Sequence, residues 1–349
     1  MKAKRLFALL LAAAMGMSVM TGCGNSIDKE AVGATLDGQE ISLGFMNFMA
    51  RYQQAIYDGY YGSMFGTDFW SQDLYGNGSD METTVKDQVK ESMEELYLLE
   101  AHMADYGVEI TEEELAAMDK AAEEFMSDNT KAAINQLGAD KEYVKELLRL
   151  NTIQKKMKEA MDAEVDTNVS DEEAAQKTFS YVRISKTTTT DADGNTVDLT
   201  EEEQKALLDD VAEYAVNAKS DFDGAASTAG YTVSTYSYGT DETSFAEEVI
   251  AAVDTLEDGA VTDLIETDDD YYVARMDKTF DEEKTESKKE SIIAQRQNEH
   301  YTEVCDGYRE ESEFEVDEDL WKKVKFDELF TIKAEETDTT EDTETTENE

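Results

Sequence analysis

The sequence predicts an α+β protein, because segments with helical spacing and segments with strand-like alternation both occur along the chain. Apolar residues recur at steps of three and four between Val85 and Met103, and again between Val144 and Met157, which predicts two amphipathic helices. Residues 179–184 instead alternate as a β-strand does, and residues 271–276 form a second predicted strand.

The first predicted element after residue 30 is a hairpin. Two short extended runs flank Asp37-Gly38, a dipeptide that readily adopts the positive φ of a tight turn. Ser42 is placed to cap a helix that runs to about Tyr57. Residues 58–79 are rich in Gly, Tyr, Phe and Trp and predict an irregular aromatic loop, whose rings either fill the core or bind peptides.

Capping signals separate the later helices. Gly107 suits a helix C-terminus, and Thr111 with Glu114 forms a capping box that begins the next helix. A third helix is predicted from about residue 140 to residue 161, and Ser170 begins a further capping box.

Composition excludes several classes of function. The 349 residues include 82 acidic and 31 basic side chains, a net charge of -51, and such a surface repels nucleic acid. The sequence has two histidines and two cysteines, at scattered positions, so we expect no transition-metal centre and no cofactor. Serine-histidine or cysteine-histidine hydrolase sites and glycine-rich phosphate loops are not found either.

The N-terminus predicts export. Basic residues precede the apolar stretch from Leu6 to Met20, which is shorter than the roughly 20 residues that a membrane-spanning helix needs. It ends in Met20-Thr21-Gly22-Cys23, which resembles a bacterial lipobox with Cys23 as the lipidated residue; the alternative is an ordinary secretory signal with an incidental cysteine. With Cys23 lipidated, Cys305 has no partner for an internal disulfide.

The order of these N-terminal elements resembles SurA-type chaperones and PrsA-type foldase lipoproteins. The resemblance rests on the hairpin followed by Glu40-Ile41-Ser42, the helix with Met93-Glu94-Glu95-Leu96, and the Gly107-Val108 turn before Thr111. It implies a mostly helical SurA-like chaperone domain at residues 31–170, completed by a C-terminal helix.

The following segment is similar to a parvulin (PpiC-type) peptidyl-prolyl isomerase domain. The similarity rests on the opening strand, a helix followed by Asp221-Phe222, a Tyr238-Gly239 step, Phe245 before two glutamates, and a strand that contains Tyr271-Tyr272. It implies an inserted α/β domain at residues 171–280.

The departures from the parvulin pattern concern catalysis. The two positions at which the family carries histidines fall on Tyr181 and Tyr272, and Asp270 replaces a glycine. The family resemblance places Phe245 in the proline pocket, although core packing would also explain it. The catalytic residues are therefore unknown, and we expect isomerisation near the background rate. If the tyrosines form the pocket, their strands should be adjacent and both side chains should point to the face that bears Phe245.

Two acidic segments suggest weak calcium sites. Asp191, Asp193 and Asn195 begin a series with EF-hand spacing, but the glycine falls at the fourth place rather than the sixth. Asp268-Asp269-Asp270 is the second segment. A plain acidic turn accounts for both, so we expect no metal site.

The C-terminal part should complete the helical module. Residues 282–312 predict a long helix, and residues 320–330 a closing element whose Trp321 locks it onto the N-terminal helices. The C-terminal segment that completes the helical module covers residues 281–333, and the acidic residues 334–349 predict a disordered tail. At the other end of the chain, a tether at residues 23–30 follows the predicted signal peptide at residues 1–22.

Together with the export signal, the resemblance implies a foldase or chaperone on the outer face of the bacterial cell membrane, anchored by lipid. Its expected partners are unfolded or newly secreted polypeptides, and the charge predicts that it binds no nucleic acid. Two alternatives stay open: an active parvulin-type isomerase, and a surface-binding lipoprotein that uses the domain as a scaffold.

Overall fold

The computed structural model describes residues 27–191, 193–240 and 244–330. The predicted signal peptide, Cys23 and the acidic tail lie outside this part of the chain. The described residues divide into two compact units: unit 1 contains the N-terminal part up to Glu164 and the part from Glu299 onward, and unit 2 is Val165–Asn298. Helices and antiparallel sheets occur together, so the predicted α+β class is confirmed.

Unit 1 begins with the predicted hairpin, β1 (Val32–Leu36) and β2 (Gln39–Ser42). Asp37 and Gly38 both have positive φ, 48° and 84°, as a tight two-residue turn requires. The Ser42 side chain accepts a hydrogen bond from the Phe45 amide and so caps the first helix, as predicted.

The helices of unit 1 pack around a large apolar core. They are α1 (Leu43–Phe65), α2 (Met81–Ala101), α3 (Glu112–Asp128), α4 (Lys131–Leu137) and α5 (Lys141–Asp162), with 3₁₀ turns at Gly66–Ser71 and Met103–Tyr106. A smaller buried cluster lies between α2, α5 and the end of the chain's long C-terminal helix. Thr111 and Glu114 form the predicted capping box, and Gly107 adopts the left-handed conformation after the second 3₁₀ turn.

The sequence prediction for residues 58–79 was wrong in its first half. The helix α1 continues to Phe65 and a 3₁₀ turn follows it. Phe69 and Trp70 are each only 3% exposed, and the Tyr61 ring stacks on Phe69 at 5.3 Å. This packing holds the end of the helix in place despite the glycines that favoured a loop.

The chain returns to unit 1 at its C-terminal end. The helix α10 (Glu282–Glu311) contains the division between the units, and its last turns pack on the N-terminal helices, where Cys305 is a buried free thiol. The strand β9 (Phe314–Val316), which the sequence did not predict, pairs antiparallel with β1. A short helix, α11 (Glu318–Trp321), then buries Trp321 in the core of unit 1.

Unit 2 contains a four-stranded antiparallel sheet in the order β6-β3-β8-β7. Apolar clusters cover both faces of this sheet. The elements of the unit are α6 (Asp171–Ala174), β3 (Lys177–Ser185), β4 (Thr188–Thr190), β5 (Thr196–Asp198), α7 (Glu201–Ala218), α8 (Phe222–Ala229), β6 (Ser234–Tyr238), α9 (Glu247–Val253), β7 (Ile265–Glu266) and β8 (Asp270–Lys278).

The acidic segments of unit 2 form turns. Asp191 Oδ1 accepts hydrogen bonds from the amides of Asp193 and Asn195 between the paired strands β4 and β5. The Thr267 amide donates to the Asp270 carbonyl in the turn before β8. Among the described residues, no group of three or more His, Cys, Asp and Glu side chains is arranged to hold a metal ion. Over the same residues, no helix combines the length and apolar character needed to cross a bilayer.

Candidate functional site

Tyr181 and Tyr272, which the resemblance assigns to the histidine positions of the parvulin pattern, lie on neighbouring strands. The strands β3 and β8 are antiparallel, with Arg183 opposite Tyr272 and Tyr181 opposite Ala274. Because alternate residues share a face, this register places Tyr181 and Tyr272 diagonally on one side of the sheet. Their ring centroids are 6.1 Å apart. The predicted adjacency of the two strands is confirmed.

Phe245 lies on the same face, just before α9. Its ring centroid is 5.1 Å from that of Tyr181 and 6.0 Å from that of Tyr272. Phe179 and Tyr236 complete the cluster, at 5.3 Å and 4.6 Å from Phe245. We call these five residues the tyrosine site. Phe179 is fully buried and Tyr272 is 6% exposed, whereas the other three are half-buried and line the open side.

An ion pair borders the tyrosine site. Asp270 has a side chain that is only 8% exposed and contacts the Arg183 guanidinium at 2.8 Å. The hydrogen bond that the Arg183 guanidinium donates to Asp270 raises the pKa of Arg183, so the guanidinium stays charged. Burial is the main cause that raises the pKa of the Tyr272 phenol above its ordinary value; the Arg183 charge opposes this rise, and the Asp270 charge adds to it. Tyr272 is therefore a neutral group that can donate a hydrogen bond at physiological pH.

Both histidines of the sequence lie in unit 1 and not at this site. His102 stacks on Tyr308 at 3.6 Å between ring centroids, and its Nδ1 is 2.7 Å from Asp105 Oδ2. His300 lies on α10 with its Nε2 3.5 Å from Glu164. The tyrosine site therefore has no imidazole. It can contact an apolar residue through its rings and form hydrogen bonds through its phenols.

Sequence reasoning missed Phe179 and Tyr236 as members of the site. Phe179 precedes Tyr181 by two residues on the same strand, so strand alternation alone places it on the same face. Tyr236 lies on β6, directly opposite Phe179 in the ladder. The pairing of β6 with β3 was not apparent from the sequence, so Tyr236 could not be assigned.

Unit 1 exposes a second group of aromatic and apolar side chains. The most exposed are Tyr60 (73%), Met64 (64%) and Tyr75 (64%). Tyr60 and Met64 are four residues apart and share one side of α1. We call the whole group the aromatic surface; its members are Tyr60, Tyr61, Met64, Phe65, Leu74 and Tyr75.

The aromatic surface rests on buried rings. Phe65 and Tyr61 contact Phe69, which contacts Trp70 at 5.0 Å. Phe69 and Trp70 belong to the core, as one of the two alternatives for this aromatic-rich segment predicted. The members of the aromatic surface face solvent, and their binding of peptides stays a prediction. Exposed apolar side chains gathered in one region are typical of an interaction surface.

The comparisons with known proteins agree with the sequence motifs. Residues 185–289 match the family model of the PPIC-type PPIASE domain, so the predicted parvulin-type domain is confirmed over this part of the chain. The match includes Phe245 and Tyr272 and begins four residues after Tyr181. No curated protein matches the sequence.

Several solved structures are similar to the chain. The foldase protein PrsA from Lactococcus lactis has 16% identity and a TM-score of 0.34, and the similarity covers 84% of this chain and 99% of that chain. The peptidylprolyl isomerase PrsA from Bacillus cereus has 16% identity and a TM-score of 0.30, covering 73% and 99%. A SurA-like chaperone from Campylobacter jejuni has 13% identity and a TM-score of 0.27, covering 82% and 98%.

Proposed function

We propose that this chain is an extracytoplasmic foldase or chaperone that binds unfolded secreted polypeptides and keeps them from aggregating. The observation that carries the proposal is the aromatic surface of unit 1, where Tyr60, Met64 and Tyr75 are each more than half exposed. An apolar surface of this kind binds exposed apolar segments of a client. The net charge of -51 keeps the complex soluble by repulsion between copies.

The proposal includes a lipid anchor at Cys23 on the outer face of the membrane. Its support is the apolar segment from Leu6 to Met20 followed by the lipobox-like Thr21-Gly22-Cys23. Two acyl chains hold a protein on a bilayer, because each buried methylene contributes about 0.8 kcal/mol. An anchored chaperone would meet its clients as they leave the membrane.

The tyrosine site supports binding more than catalysis. Its rings offer an apolar face to a proline or another apolar residue, and its phenols offer hydrogen bonds. An active isomerase is the second candidate, because residues 185–289 match an isomerase domain family. Isomerisation forms no covalent intermediate, so an apolar pocket that desolvates the amide could lower part of the roughly 18–20 kcal/mol barrier.

The test is suppression of client aggregation by the full chain, with an unfolded client that contains no proline. We expect suppression by the wild type and a loss of most of it in the triple variant Tyr60→Ser, Met64→Ser, Tyr75→Ser. Val216→Ser is the matched control, since Val216 is 70% exposed but lies in unit 2. Equal suppression by the triple variant and the wild type would contradict the proposal.

A prolyl-isomerase assay on the same samples separates the two candidates. The chaperone proposal predicts aggregation suppression together with isomerisation near background. Isomerase activity that is lost on Phe245→Ala, without aggregation suppression, would favour the enzyme.

A further inference from the structure

The last described residues of the chain form an irregular segment that lies in a groove of unit 1. Residues 322–330, with the sequence Lys-Lys-Val-Lys-Phe-Asp-Glu-Leu-Phe, follow α11 and belong to no helix or sheet. Their apolar side chains Val324, Phe326 and Phe330 are only 1–2% exposed. The segment thus combines irregular backbone with deeply buried side chains, as a bound peptide does.

Side chains of the groove bind the main-chain carbonyls of this segment. Lys86 Nζ donates to the Val324 carbonyl at 2.7 Å, and Arg51 donates to the Lys325 carbonyl. Gln54 Nε2 donates to the Glu328 carbonyl at 2.9 Å. Gln136 Nε2 donates to the Leu329 carbonyl at 3.0 Å. These contacts do not depend on which side chains the bound segment carries.

Carboxylates of the groove bind two main-chain amides of the segment. The Phe326 amide donates to Glu82 Oε2 at 3.3 Å, and the Phe330 amide donates to Asp58 Oδ2 at 2.9 Å. The polar side chains of the segment contribute two longer ion pairs, Lys325 with Glu82 at 3.5 Å and Asp327 with Arg51 at 3.8 Å. The hydrogen bonds between the groove and the segment that are shorter than these two ion pairs all involve the main chain of the segment.

The polar residues of the groove are costly to bury. Arg51, Lys86 and Asp58 are each at most 8% exposed, and Gln54 is completely buried. A packed apolar core would stabilise a fold at least as well as buried charges do. Gln54 Oε1 is a buried acceptor that has no hydrogen-bond partner among the described residues. This arrangement is better suited to binding an exchangeable peptide main chain than to filling a permanent core.

The groove continues into the aromatic surface. The Phe326 ring lies 4.6 Å from Trp70, between ring centroids. Trp70 contacts Phe69, and Phe69 stacks on Tyr61. A chain of ring contacts therefore joins the exposed surface to the pocket that holds Phe326.

We propose that the groove formed by Arg51, Gln54, Asp58, Lys86 and Gln136 is a binding site for an extended polypeptide, and that residues 322–330 occupy it as a displaceable internal ligand. The ligand class is a peptide with apolar side chains at positions i, i+2 and i+6, the spacing of Val324, Phe326 and Phe330. The proposal rests on the proposed function, because the competing ligand is an unfolded client.

The test is the binding of a fluorescein-labelled peptide with the sequence of residues 322–330 to the full chain, followed by fluorescence anisotropy. Phe326→Ala with Phe330→Ala in the protein weakens the internal ligand and leaves the groove side chains intact. We expect this variant to bind the peptide at least about tenfold more tightly than the wild type, because a larger fraction of its grooves is open. The matched control is Phe280→Ala, which removes a half-exposed ring of unit 2 and should bind as the wild type does.

Two altered peptides test the mode of recognition. A peptide in which serine replaces the Lys, Asp and Glu residues should retain its affinity within about threefold, because the groove mainly contacts the main chain. A peptide with alanine at both Phe positions should lose binding. Equal affinity of the double variant and the wild type for the unaltered peptide, with unchanged circular dichroism, would overturn the proposal.

Hydrogen exchange of the wild-type chain tests the same proposal and does not require that the double variant folds. We expect the Phe326 and Phe330 amides to exchange through a local opening faster than the amides of α2. Exchange at the rate of whole-unit unfolding would overturn the proposal. Failure of the peptide test alongside intact aggregation suppression would reject the groove and leave the proposed function standing.

Discussion

Asp58 should contribute strongly to the stability of unit 1. Asp58 is 5% exposed, and its carboxylate accepts hydrogen bonds from Trp70 Nε1 at 2.9 Å, Gln54 Nε2 at 3.1 Å and the Phe330 amide at 2.9 Å. Asp58→Ala leaves the Trp70 and Phe330 donors without this acceptor, whereas Gln54 Nε2 keeps its bond to the Glu328 carbonyl. The variant therefore strands two buried donors.

The expected loss follows from these contacts. A buried donor without a partner costs about 1–3 kcal/mol, so two cost about 2–6 kcal/mol. Burial raises the pKa of Asp58 despite its hydrogen bonds, because desolvation penalises the charged carboxylate, and alanine removes that penalty. We expect a net decrease of about 2–4 kcal/mol in the free energy of unfolding of unit 1.

Urea unfolding followed by tryptophan fluorescence measures this loss in unit 1, because both tryptophans of the sequence, Trp70 and Trp321, lie there. Asp68→Ala is the matched control: Asp68 is exposed on the neighbouring 3₁₀ turn, and its loss should change the free energy by less than about 0.5 kcal/mol. A loss below about 1 kcal/mol in Asp58→Ala would refute the reasoning.

Three further predictions concern the site, pH and anchoring. The double variant Tyr181→His, Tyr272→His should raise the rate of prolyl isomerisation above the wild-type background. Either change alone should do little, because a hydrogen-bonded histidine pair acts as a unit. A wild-type rate equal to that of an active parvulin would contradict this prediction. Desolvation would raise the pKa of Asp281, but hydrogen bonds from Thr178, Lys278 and the Lys284 amide outweigh it and lower the pKa below 3.8. The stabilisation by Asp281 is therefore fully present above about pH 4 and is lost as the pH falls through the folded-state pKa of Asp281. Asp281→Asn should flatten this acid dependence, measured as the hydrogen-exchange protection of β3. An unchanged dependence of that protection on pH would argue against this role of Asp281. Cys23→Ala should leave an uncleaved or released precursor on membrane fractionation, and a fully processed, membrane-bound variant would disprove lipidation.

Local signals in the sequence were sufficient for most individual elements. The Asp37-Gly38 turn, the Ser42 cap and the Thr111 capping box depend on residues within four positions of each other, and the structure contains all of them. The end of α1 was predicted too early, because the burial of Phe69 and Trp70 is a tertiary effect that overrides the weak helix propensity of the nearby glycines. The strand β9 was missed because three residues carry too short a pattern.

The sequence by itself determined which chemical groups are available: tyrosines at positions 181 and 272, two histidines in the whole chain and a strong negative charge. Alternation along strands also determined that Phe179 shares the face of Tyr181. Only the tertiary structure decided that Tyr236 joins them, and that Arg51, Gln54 and Asp58 meet the main chain near Phe330. Gln54 and Asp58 are each more than 270 residues from their partners in that segment, and side-chain bonds to a main chain leave no periodic pattern in a sequence. Their pairing depends on the packing of the folded unit.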